Sequence, residues 1–220
     1  MTQPAPNMAS DLIRIHKVIT RAIGVDLHKG IEYQQNGFKD PQELLGYSSY
    51  THCLVQVLDS HHHGEDMIVF PELKKVLPSA PYARLTAEHL QVERLLDKIS
   101  PAVEKLSSEL QEGLQVIVDT LRKLSTLWPP HYQLEEKNFS AEVLNPLVSL
   151  EDQRRISETS SRYSQEHSEP PYWVVPFILY NLELEDRTHM AANFPPVIIE
   201  ELVPKAWKEQ WAPMKPLLLE

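Results

Sequence analysis

Apolar residues recur every three or four positions through the first two-thirds of the chain. Nothing before residue 145 alternates with the period of two that a half-buried strand requires. Leu12, Ile15, Ile19, Ile23 and Leu27 make one helical stripe. Ser10-Asp11 offers an N-cap with an acidic first turn, and His28-Lys29-Gly30 a basic last turn with a closing glycine, so the pattern predicts a first helix over residues 10–30. A polar loop follows over residues 31–40. Pro41 suits the first turn of a second helix, which reaches about Phe70 or Leu77 with Pro71 bending or ending it. After a turn over residues 78–81, a third helix from Tyr82 to Leu106 carries Leu85, His89, Val92, Leu96 and Ile99 on one face, with Pro101 inside it. A fourth, from Glu109 to Leu144, is interrupted by Pro129-Pro130.

Beyond Pro146 the periodicity weakens. Of the 18 prolines, 11 lie from Pro129 onward, so this part of the chain must turn often. It reads as a surface helix over residues 151–169, an apolar proline-punctuated segment over 170–180, and short helices near 183–192, 196–203 and 205–211. The expected architecture is all-α. An up-down-up-down four-helix bundle spans residues 10–145, with a disordered tail over 1–9 before it and a helical or irregular extension over 146–220 packed on it.

The net charge of −10 argues against nucleic acid and against anionic membrane surfaces as partners. No apolar run approaches the roughly 20 residues of a membrane helix. The opening MTQPAPNMAS has neither a basic start nor an apolar stretch, so no secretory signal is expected. A single cysteine, Cys53, fits a reducing compartment, and the expected location is cytoplasmic.

The chemistry lies in the histidines. Residues four apart share a helix face, so His-x-x-x-Glu presents two metal ligands side by side. His61/Glu65, His89/Glu93 and His131/Glu135 place one such pair on each of the last three bundle helices. Depth then selects the partner on the first helix. In an antiparallel bundle, a site shared by all four helices lies near the starts of helices one and three and the ends of two and four. His16 is about 9 Å into helix one, whereas His28 is some 18 Å further on, at the wrong end. The candidate ligands are therefore His16, His61, Glu65, His89, Glu93, His131 and Glu135. Four imidazoles and three carboxylates suit two iron ions, with manganese as the other choice, better than a structural zinc. His62, His63, Asp66 and Glu136 read as polar neighbours on other faces, with His62/Asp66 as an alternative register of the same motif. His28, His52, His167 and His189 read as surface or structural, and Tyr47 or Tyr50 as a candidate hydrogen-bond partner of a metal-bound oxygen.

The run His61-His62-His63-Gly64-Glu65-Asp66-Met67-Ile68-Val69-Phe70-Pro71-Glu72-Leu73 resembles the signature of hemerythrin-like, or HHE cation-binding, domains. His16, the His89 helix and His131-Tyr132-Gln133-Leu134-Glu135-Glu136 fall in that family's order. The tail, with Pro176-Phe177, Tyr180-Asn181-Leu182, Glu185-Asp186-Arg187 and Trp211 to Leu218, is similar to that of stand-alone fungal members. The resemblance implies a departure as well. Oxygen-carrying members have a histidine where this chain has Glu93, which gives them five histidines and two carboxylates against four and three here. A third carboxylate favours oxidised iron and hinders reversible oxygen binding. The leading expectation is thus an oxidoreductase in which a di-iron centre reacts with dioxygen or peroxide and oxidises a small organic substrate, the extension building its pocket. Reversible oxygen binding or oxygen/iron sensing is the alternative, although no output domain is recognisable after residue 145. Iron storage or detoxification is the third.

Overall fold

The computed structural model describes residues 7–219, and residues 1–6 of the tail expected to be disordered lie outside the described part. Asn7 caps the first helix, α1 (Met8–Asn36), by accepting from the backbone N–H groups of Ala9 and Ser10. The start is earlier than Ser10 because Met8 and Ala9 are buried and hold the first turn down. The end is later than Gly30. That glycine is needed for close packing instead, since a Cβ there would press on Val118 and the Tyr47 hydroxyl. The helix stops at Gly37, whose φ of 69° only glycine adopts readily, with its N–H bonded to the Tyr33 carbonyl.

Asp40 caps α2 (Pro41–Gly64), which passes through a π turn (Glu65–Val69) into α3 (Phe70–Leu73). Pro71 thus falls in the first turn of a new helix, where its missing N–H costs little. Two more long helices follow, α4 (Tyr82–Lys105) and α5 (Leu110–Asn138). The predicted break at Pro129-Pro130 does not occur. The carbonyls these prolines leave without a partner, four residues back at Ser125 and Thr126, lie on a solvent-facing stretch where water can serve them. Helix α5 ends at Phe139, short of Leu144, and α6 (Ala141–Leu144) is a separate turn.

Helices α1, α2, α4 and α5 pack in a ring, α1 on α5 and α2, and α4 on α5 and α2. The described residues contain no strand. The remainder comprises α7 (Leu150–Glu166), α8 (Pro171–Tyr180), α9 (Leu184–Ala191), a π segment (Ile198–Ala206), α10 (Lys208–Trp211) and a 3-10 segment (Ala212–Leu217). It lies along α2, with α7 against its C-terminal end and the 3-10 segment against its start. Val174, Phe177, Leu179, Met214 and Leu217 enter the main apolar core. Arg21 of α1 donates to the Asn181 side chain and to the Leu217 carbonyl at 3.0 Å, and the Tyr50 hydroxyl donates to Asn181 Oδ1 at 2.7 Å. No helix among the described residues is long and apolar enough to cross a membrane.

Gly46 is where the tail rests most closely, because a Cβ there would collide with the Pro213 carbonyl. Gly46→Ala is expected to lift the 3-10 segment off α2 and to cost about 1–3 kcal/mol of stability in denaturant unfolding. An unchanged midpoint would mean that the tail does not rest on α2 at this point.

Candidate metal centre

The two apolar clusters leave a polar layer between them. The main core fills the bundle on one side, and a smaller cluster around Phe70, Tyr82, Leu85, Phe139 and Leu144 closes the other. His16, His61, His62, Glu65, His89, His131 and Glu135 lie in this layer, all buried. His16 and His89 come from the starts of α1 and α4, the other five from the ends of α2 and α5, which is the alternation of an up-down-up-down bundle.

Two groups of donor atoms form. Those of His16, His61, Glu65 and Glu135 all lie within 4.8 Å of one another, as do those of His62, His89 and His131. Glu135 faces both groups. Its Oε2 is 3.2 Å from His16 Nε2, and its Oε1 is 3.4 Å from Nε2 of both His89 and His131. Glu65 Oε2 lies 3.7 Å from His61 Nε2 and 3.5 Å from His89 Nε2. Such separations match neighbouring ligand atoms on an ion with bonds of about 2.0–2.2 Å. The hydrogen-bond pattern agrees. Nε2 of His16, His61, His62 and His131 and Oε2 of Glu65 and Glu135 are buried without a partner, the short His16–Glu135 approach being misaligned for a hydrogen bond. Six orphaned polar atoms in one place would be very costly unless a cation meets them. The residues present fit a two-metal site.

Carboxylates fix the rings. His16 Nδ1 bonds Glu136 Oε1 at 3.0 Å, His89 Nδ1 bonds Asp66 Oδ2 at 2.9 Å, and His131 Nδ1 bonds Glu88 Oε2 at 3.0 Å. An ionised carboxylate can only accept, so each Nδ1 carries the proton and each Nε2 is left free to coordinate. Burial works against the ionised forms of Asp66 and Glu88, yet hydrogen bonds from His89 and Thr86, and from Arg84 and His131, hold both below the ordinary range. Burial drives His61 and His62 well below the usual histidine range, which keeps them neutral and ligand-ready. Burial and the adjacent Glu135 push Glu65 well up. Burial also disfavours the Glu135 anion, but its contacts with His16, His89 and His131 outweigh that and hold it well down.

Of the seven sequence candidates, His16, His61, Glu65, His89, His131 and Glu135 converge and Glu93 does not. Val92 takes the inward position one turn after His89, and Glu93 is left half-buried on the wall of a recess of about 220 Å³ between α2 and α4. The fifth imidazole comes from His62, stacked on His89 with ring centres 4.0 Å apart. The end of α2 turns two neighbouring rows toward the layer, His61/Glu65 and His62/Asp66, and a π turn follows, in which Phe70 N–H reaches back five residues to the Glu65 carbonyl. The two registers weighed as alternatives are both used. The rows His-His at 61–62 and Glu-Asp at 65–66 carried that signal, as did the acid beside each anchor at Glu88, Asp66 and Glu136.

Tyr47 and Tyr50 are occupied elsewhere, Tyr47 on the Asp26 carbonyl at 3.3 Å and Tyr50 on Asn181. His28 is exposed, while His52 and His167 bond backbone carbonyls. Asp26, fully buried at mid-bundle, has one hydrogen bond, from Thr51 Oγ1 at 2.9 Å, and an orphaned Oδ2, and burial lifts its carboxyl to about 7. Between pH 4 and 7 the unfolded chain ionises this group while the folded one keeps its proton, so stability falls as pH rises across that window. The loss is about 4 kcal/mol. Asp26→Asn is expected to flatten that part of the pH dependence in unfolding of the metal-free protein and to raise stability at pH 8. An unaltered slope would contradict the assignment.

Residues 7–143 match the Hemerythrin HHE cation binding domain. No curated protein and no solved structure matches the chain. With the match covering more than half of its length and falling on the helices that build the polar layer, this chain belongs to the hemerythrin HHE cation-binding family.

Proposed function

We propose that this protein holds two iron ions between His16, His61, His62, Glu65, His89, His131 and Glu135, and that it binds dioxygen or peroxide through them. The observation that carries the reading is the convergence of five imidazoles and two carboxylates, six of whose inward atoms are buried without a hydrogen-bond partner. A ferrous pair supplies the electrons that such an oxidant takes up when it binds. The chain's own residues supply the rest. Glu136, Asp66 and Glu88 hold three rings in one tautomer, and the carboxylates of Glu65 and Glu135 span the two donor groups. Trp128 and Phe70 stand against the histidines from opposite sides, with ring centres 5.4 Å from His16 and 5.6 Å from His89, and keep bulk water out.

Reversible uptake of dioxygen is favoured over turnover of an organic substrate. Glu93 belongs to neither donor group, and the apolar residues of the extension fill the core instead of lining a pocket. Oxidation of a small substrate remains as a second reading on one observation, the recess that reaches His62 and His89. The test is the optical spectrum of the iron(II)-loaded protein mixed with oxygen and then returned to an oxygen-free atmosphere. A charge-transfer band that appears and then fades on oxygen removal supports reversible binding. A one-way change to a di-iron(III) spectrum overturns it and directs attention to substrates, reductants and iron storage.

A further inference from the structure

The same recess has a second feature that oxygen binding does not use. Its floor is His62 and His89, both buried, and His62 Nε2 has no hydrogen-bond partner. Its mouth carries Asp59, His63 and Glu93. Asp59 and His63 have side chains 43% exposed, with His63 Nδ1 3.3 Å from Asp59 Oδ1. Glu93 makes no hydrogen bond or ion pair among the described residues. Asp66 lies between mouth and floor, bonded to His89. Leu90 and Leu96 complete the walls.

From this arrangement we infer that the recess is the route by which divalent metal ions reach the centre, with Asp59, His63 and Glu93 holding an ion in transit. The inference rests on the two-metal reading of the donor cluster. The centre itself lies between two apolar clusters, so a hydrated dication approaching through either of them would have to shed its water against hydrocarbon. Along the recess, carboxylate and imidazole donors are available at successive depths and replace water ligands one at a time. Clustered negative charge between low-dielectric walls also raises the local cation concentration. An uncharged oxidant gains nothing from such a lining, and an anionic substrate is repelled by it.

The test is stopped-flow loading of metal-free protein with cobalt(II), whose visible absorption reports histidine coordination without any reaction with oxygen. The double variant Asp59→Asn/Glu93→Gln is expected to load about tenfold more slowly than wild type, with the final amplitude and the metal content unchanged. Glu109→Gln/Glu112→Gln removes the same charge at the far end of α5 and should load at the wild-type rate. The charge-retaining pair Asp59→Glu/Glu93→Asp should recover most of the speed. Equal rates in wild type and Asp59→Asn/Glu93→Gln overturn the route while leaving the centre intact. Equal slowing by the distant pair also overturns it, by assigning the effect to net charge. A wild-type protein that takes up no cobalt at all defeats the two-metal reading, and the route with it.

Discussion

Glu135→Ala is expected to empty both halves of the centre at once, taking bound iron from about two ions per chain to below about half an ion. Among the described residues no other side chain faces both donor groups with separate oxygens: Oε2 lies 3.2 Å from His16 Nε2, and Oε1 lies 3.4 Å from His89 and His131 Nε2. Its removal also leaves the buried His16 ring without the carboxylate that faces its Nε2. The helices should survive, because the main core is built from apolar residues of all four bundle helices and the extension. Far-ultraviolet circular dichroism is expected to change little, while elemental analysis after desalting shows the loss. A variant that keeps both ions would remove Glu135 from the centre.

The second large effect separates two residues that the sequence spacing and the donor geometry rank in opposite order. His62→Ala is expected to cost one of the two ions, because His62, His89 and His131 form one donor group and only two imidazoles with the shared carboxylates would remain to hold that ion. Glu93→Ala is expected to retain both ions at equilibrium, since Glu93 sits on the recess wall and belongs to neither donor group. Metal content of the two purified variants, measured side by side after loading, decides the matter. The reverse outcome, with His62→Ala full and Glu93→Ala depleted, would restore the four-histidine, three-carboxylate set that the i, i+4 spacing suggests.

What could be read from the sequence divides along physical lines. The stripe from Leu12 to Leu27 and the face from Leu85 to Ile99 are long and regular, so the helices they predict exist as expected. Helix ends were less legible. Gly30 looks like a terminator, but its missing side chain serves the packing of Tyr47 and Val118, a tertiary contact that periodicity cannot report. Pro129-Pro130 looks like a break, but the residues four back, half-buried Ser125 and exposed Thr126, lie on the outer side of α5, where two prolines are tolerable.

At the centre, helix depth placed His16, His61, Glu65, His89, His131 and Glu135 together, because depth depends only on rise per residue and alternating direction. His62 and Glu93 fall differently from what the i, i+4 spacing expects. The rule picks a single row per helix, whereas α2 turns two neighbouring rows, His61/Glu65 and His62/Asp66, toward the layer, and on α4 Val92 takes the inward place one turn after His89. The acids that fix the rings follow a pattern around the bundle. Asp66, beside Glu65, bonds the α4 histidine, Glu88, beside His89, bonds the α5 histidine, and Glu136, beside Glu135, bonds the α1 histidine. Each acid is next in sequence to a donor on one helix and serves a ring on the following helix, which no single-helix projection displays.

Metal binding should also release protons. In the metal-free protein, Glu135 and Glu136 raise His16, against the effect of burial, and Asp66 and Glu135 raise His89 in the same way. A metal ion competes with protonation of these rings, so affinity is expected to fall as the solution is acidified.

The measurement that tests the central claim most directly is metal content. Metal-free protein is incubated anaerobically with excess iron(II), desalted, and analysed for iron against protein concentration. The donor geometry predicts close to two ions per chain. Less than about half an ion would contradict it, because six buried donor atoms without partners would then have no cation to explain them.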